Sequence, residues 1–107
     1  MPAPNFTTIW EFQVKVELCS QFEKIYGPQG DWVQLFRRHP GYKGSVLLCD
    51  ADHPGRYLTL DHWDSRESLH QFKRDHQAEY EALDKRCEHL TEREISVGSF
   101  QSLGAPS

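Results

Sequence analysis

A chain of 107 residues, 37% apolar and 26% charged, has the size and make-up of one globular domain, spanning residues 1–107 with its core at about 7–101. Its formal net charge is −4 and its longest basic cluster is only Arg37-Arg38-His39, which argues against a nucleic-acid partner, because neutralising phosphates takes clustered Lys and Arg. No segment is long and apolar enough to cross a bilayer, and Met1-Pro2-Ala3-Pro4 lacks the basic and apolar regions of a signal peptide, so a cytoplasmic protein with no membrane partner is expected.

After a loose N-terminal tail, residues Thr7 to Val16 alternate, with Trp10, Phe12, Val14 and Val16 separated by Glu11, Gln13 and Lys15. Period two predicts a strand with one buried face. Leu18, Phe22 and Ile25 then fall at helical spacing and predict a short helix. Tyr26-Gly27-Pro28-Gln29-Gly30 ends it. Asp31 is a plausible N-cap for a second helical piece, in which Trp32, Leu35 and Phe36 stand at i, i+3 and i+4. His39-Pro40-Gly41 closes that piece, since the residue before a proline avoids the helical region.

Ser45 to Cys49 and Arg56 to Trp63 are rich in strand formers and are joined by a turn holding Pro54-Gly55, which predicts a hairpin. Asp64, with Glu67 three residues on, forms a capping-box pattern. Behind it run Leu69, Phe72, His76, Tyr80, Leu83, Cys87 and Leu90, at steps that predict one long helix with a single apolar stripe. Glu94 to Phe100 predicts a last strand, with Gly98 marking a bulge or a close backbone approach. The Gly-, Pro- and Ser-containing tail from Ser102 to Ser107 is expected to fray.

The resulting order is βαββαβ, the split βαβ pattern of an α+β, ferredoxin-like antiparallel sheet with helices on one face. The other face then lacks cover. The hairpin carries apolar or aromatic groups at both parities, Leu58 and Leu60 against Tyr57 and Trp63, so a symmetric dimer packed sheet to sheet is expected. The three cysteines Cys19, Cys49 and Cys87 are odd in number and far apart, which suggests neither disulfides nor a zinc site. No two of the six histidines stand at i, i+4, so no metal site is expected.

The stretch Arg56-Tyr57-Leu58-Thr59-Leu60-Asp61-His62-Trp63-Asp64-Ser65 followed by a helix resembles the strand-then-helix signature of antibiotic-biosynthesis monooxygenase domains. Phe22-Glu23-Lys24-Ile25-Tyr26-Gly27 and Pro40-Gly41-Tyr42 resemble that family too, and the likeness runs from roughly Thr8 to Phe100. The resemblance implies a dimeric α+β barrel with a pocket in each subunit between helices and sheet. Some members of the family oxygenate polycyclic phenols with O₂ and neither metal nor flavin. Others degrade heme with an Asn on the first strand and a Trp and a His on the last helix. Here those positions hold Phe12, Phe72 and a residue near Ala82 or Leu83, which disfavours heme.

The implied function is cofactor-independent oxygenation of an aromatic or polyketide-like small molecule. The alternative is a non-catalytic dimeric module that binds a small molecule or heme. His76 and Tyr80, the polar-capable members of the helical stripe, are the candidates for base or orienter. Trp10, Phe12, Trp32, Trp63 and Phe72 are the candidate substrate-binding residues. The plainer role for His76 is a hydrogen-bonded core histidine. For Asp61, which should share a face with Tyr57 and Trp63, the favoured role is structural, bonding the hairpin or tying the dimer.

Overall fold

A computed structural model describes residues 5–103. The tail residues 1–4 and 104–107 lie outside the described residues. The chain runs β1 (Phe6–Val14), α1 (Cys19–Tyr26), α2 (Asp31–Phe36), β2 (Tyr42–Cys49), β3 (Arg56–Trp63), α3 (Arg66–Asp75), α4 (Gln77–Cys87) and β4 (Thr91–Gln101). Single 3-10 turns at Val16–Leu18 and Glu88–Leu90 lead into α1 and β4. The strands form one antiparallel sheet in the order β2-β3-β1-β4. This is the expected α+β ferredoxin-like arrangement, with β1 and β3 in the middle.

The register sorts side chains into rows. On the helix-covered inner face Ser45, Asp61, Thr8 and Ser99 lie abreast, followed by Leu47, Thr59, Trp10 and Ser96, then Cys49, Tyr57, Phe12 and Glu94. Trp63, beside Phe6 and Tyr42, begins this series and has no solvent exposure at all. Around it the core is aromatic. The Phe36 ring centroid lies 5.6 Å from that of Trp63 and 5.3 Å from that of Phe72, and Phe22 stacks on Tyr26 at 4.1 Å. Each such pair adds about 0.5–1.5 kcal/mol to the burial of its rings.

The outer face carries Leu58, Leu60, Ile9 and His62, with Val46, Leu48, Ile95 and Phe100 exposed. Among the described residues no helix covers it. Ile95 and Phe100 are an odd number of residues apart, yet both pair on this face. The register slips between them: Ile9 pairs with Gly98 and Trp10 with Ser96, leaving Val97 as the extra residue of a bulge. Gly98 takes φ +146°, a value that side chains disfavour, as the predicted bulge requires.

Three local expectations shift. The N-cap of α2 is Gly30, and Asp31 is the first residue of the helix rather than its cap. The N-cap of α3 is Ser65, whose Oγ accepts the Ser68 N–H, rather than Asp64. Asp64 instead accepts the Ser68 hydroxyl at 2.5 Å. The long helix is interrupted at His76, where φ −124° and ψ 30° leave the helical region. Between Phe72 and Ala78 every side chain is polar (Lys73 to Gln77), so no apolar group holds that turn to the sheet. The ladder still continues on both sides, through His76 N–H to Phe72 O and Tyr80 N–H to His76 O, both 2.9 Å.

Candidate functional site

Between the inner face of the sheet and α1, α2 and α4 lies a partly open cavity of about 220 Å³. Trp10 and Phe12 of β1 form an apolar floor, with Thr59 and Asp61 of β3 and Ser45 of β2 beside them. Tyr26, Trp32 and Phe36 close it from α1 and α2. Tyr80 and Asp84, one helical turn apart on α4, and Glu94 on β4 complete the wall.

Asp61 is the polar centre of this cavity. Strand alternation sends it inward with Tyr57, Thr59 and Trp63. Ser45 Oγ donates to its Oδ1 at 2.6 Å, and the Tyr42 hydroxyl stands 2.5 Å from Ser45 Oγ. Burial pushes the carboxyl up to about 6, against a smaller downward pull from the Ser45 hydrogen bond. Among the described residues no Lys, Arg or His lines the cavity.

Tyr80 meets the Trp32 ring edge-on, with centroids 5.2 Å apart. Burial, and then the charges of Asp84, Asp61 and Glu94, push its phenol up to about 12. It therefore remains a hydroxyl donor at neutral pH. Burial likewise raises Tyr26 and Glu94, the latter helped by Asp84 and Glu88. Trp32 is buried and its Nε1 has no hydrogen-bond partner.

Of the residues singled out from the sequence, Trp10, Phe12, Trp32 and Tyr80 come together on this wall. Trp63 and Phe72 stand one layer behind it, in contact with the lining ring of Phe36. His76 does not line the cavity. It sits at the α3–α4 break, Nδ1 3.3 Å from Glu79 Oε1 and its ring 5.3 Å from that of Phe72. Asp61 bonds across the hairpin, as its structural role required, but also faces the cavity. Asp84, Glu94 and Tyr26 were not singled out. Asp84 was legible as the residue one turn beyond Tyr80, and Glu94 as a member of the inner row of β4 once its register is known. Cys19, Cys49 and Cys87 are free, and among the described residues no three His, Cys, Asp or Glu side chains converge as a metal site.

The arrangement joins an aromatic cavity to a carboxyl that burial has pushed up to about 6. A group so placed can both take and return a proton to a bound ring system.

No family model and no curated protein matches this sequence. Solved structures do. SnoaB from Streptomyces nogalater, a cofactor-independent oxygenase, is 19% identical, covers 96% of this chain and 97% of its own, and superposes with a TM-score of 0.70. A protein from Deinococcus radiodurans described as a "putative antibiotic biosynthesis monooxygenase" is 16% identical, with 95% and 96% covered and a TM-score of 0.73. One of the same description from Bordetella bronchiseptica is 17% identical, with 94% and 99% covered and a TM-score of 0.72. At such identities the likeness speaks for architecture rather than for substrate. The chain has the fold of the antibiotic-biosynthesis monooxygenases.

Proposed function

We propose that the protein is a cofactor-independent oxygenase of a small aromatic molecule and works as a homodimer. The observation that carries this reading is Asp61, a carboxyl raised to about 6 inside an aromatic cavity. In the proposed reaction a methylene flanked by aromatic rings loses a proton to Asp61. Its electrons pass to O₂, and the hydroperoxide formed loses water to leave a carbonyl. One methylene and one O₂ thus give one carbonyl and one water. Tyr80 orients the substrate by donating from its hydroxyl, while Trp10, Phe12 and Trp32 hold the rings and exclude water. Trp63 and Phe72 support that wall from behind. His76, outside the lining, serves the helix junction.

The cavity of about 220 Å³ is small. Pockets for drug-sized ligands run to roughly 300–1,000 Å³, so a compact ring system suits it better than an extended polyketide. The fold-level likeness to SnoaB supports the reaction class. The exposed aliphatic outer face supports the homodimer, since a second copy is the natural cover for a sheet with helices on one side.

The test is oxygen uptake with an anthrone-type phenol, comparing the protein with Asp61→Asn. Loss of a general base lowers turnover by about 10²–10⁴-fold, with binding of the phenol retained. Binding without oxygen uptake by the unaltered protein would instead establish a small-molecule-binding module.

A further inference from the structure

The charges around the cavity are one-sided, and this bears on what it binds. Asp61, Asp84 and Glu94 reach it from three separate elements, β3, α4 and β4. All three line the same cavity as Tyr80, whose phenol their charges push up. Asp61 stands within the cavity, while Asp84 and Glu94 are exposed on its wall. No basic side chain answers them. Lys73 Nζ lies 5.3 Å from the Tyr80 ring centroid but is not part of the lining, and Arg86 is engaged with Asp31 at 3.0 Å.

Such a site is hostile to an anion. A bound phenolate would face all three carboxylates, and a carbanion formed by proton transfer to Asp61 would still face Asp84 and Glu94; like-charge repulsion raises both in energy. A cationic group on the ligand would reverse that. It would also find aromatic faces in Trp10, Trp32, Tyr26 and Tyr80, the surroundings in which organic ammonium ions bind. A bare metal ion does not fit, because among the described residues the acids do not converge as ligands.

We propose that the ligand of this cavity is a cationic aromatic amine: a compact fused-ring system seated on Trp10 and Trp32, bearing a protonated or quaternary nitrogen on the side of the cavity lined by Asp84, Glu94 and Asp61. This rests on the reading of the cavity as the substrate site and narrows the substrate to a charge class. During proton abstraction by Asp61 the ammonium would offset the negative charge that develops on the ring system.

Three probes of equal ring size separate charge from shape: naphthylethylammonium, naphthylethanol and naphthylpropanoate. Their affinities for the full-length protein are measured by calorimetry. The ammonium binds about tenfold more tightly than the alcohol, and the carboxylate most weakly. Added salt narrows the difference. The double variant Asp84→Asn, Glu94→Gln, at two exposed positions, abolishes most of it.

Equal or tighter binding of the alcohol or the carboxylate overturns the charge assignment and leaves the aromatic cavity and the oxygenase reading in place. A preference unchanged in the double variant also overturns it. Failure of all three probes to bind overturns both the charge assignment and the cavity as the substrate site.

Discussion

The two faces of the sheet make opposite use of the same strands. On the inner face β1 and β3 present Trp10, Phe12, Tyr57 and Trp63 to the helices, with Asp61 set among them. On the outer face the same strands present Ile9, Leu58 and Leu60, and the edge strands leave Val46, Leu48, Ile95 and Phe100 exposed. Asp61 and His62 are neighbours in the chain and stand on opposite sides. Burial favours the neutral form of each, raising the acid to about 6 and lowering the histidine, whose Nδ1 is 2.8 Å from Thr7 Oγ1. The inner face has aromatic depth and holds the proposed site. The outer face is flat and aliphatic and suits association.

The largest effect expected on this comparison is at Trp63. Trp63→Ala removes a side chain with no solvent exposure and should cost about 3–5 kcal/mol in a denaturant titration. A loss below about 1 kcal/mol would mean that the inner core is not organised around it.

Asp61→Asn is expected to act in two opposite directions. The folded-state value of about 6 exceeds the ordinary 3.8, so the folded protein holds this proton more tightly than the unfolded chain. Ionisation therefore lowers stability, a penalty absent below about pH 4 and complete above about pH 6. Asn removes the ionisable group, so the variant should gain on the order of 2–3 kcal/mol near pH 8 and lose that pH dependence, while turnover collapses. Equal stability of the two proteins near pH 4 and near pH 8 would show that Asp61 is not held in an environment that penalises its charge.

Changes on the outer face should alter association rather than fold. Val46→Lys with Leu48→Glu should convert a dimer into a folded monomer in analytical ultracentrifugation, with far-UV circular dichroism unchanged. The smallest effect is expected at His76, whose contact with Glu79 lies on the surface. His76→Ala should change stability by less than about 1 kcal/mol and turnover by no more than a few-fold.

The βαββαβ order was readable because alternation and helical spacing are local signals. Arg56–Trp63 shows this well, with strand-forming residues bounded by turn chemistry on both sides. The helix break was less readable. Leu69 to Leu90 keeps helical phase through His76, and the phase alone does not reveal that Lys73 to Gln77 leaves one turn without apolar anchoring. The site was half readable. Aromatic rings on the inner parity announced Trp10 and Phe12, but an acid among them reads equally as a hairpin bond or as chemistry. What distinguishes the two is open space beside the carboxyl, a property of three-dimensional packing. Glu94 was hidden for another reason: its face depends on register slips in β4 that the local pattern does not count.

Those slips bear on how copies of the chain meet. Both edge strands are irregular: β4 bulges at Val97–Gly98, and β2 shifts register between Tyr42 and Gly44, where Gly44 takes φ +117°. The central strands pair with each other in unbroken register. A regular edge would offer a row of free N–H and C=O groups to any passing strand, and a kinked one does not. The sheet is thereby discouraged from growing sideways into an open-ended aggregate, which leaves the aliphatic face for the proposed twofold pairing, an association that terminates itself.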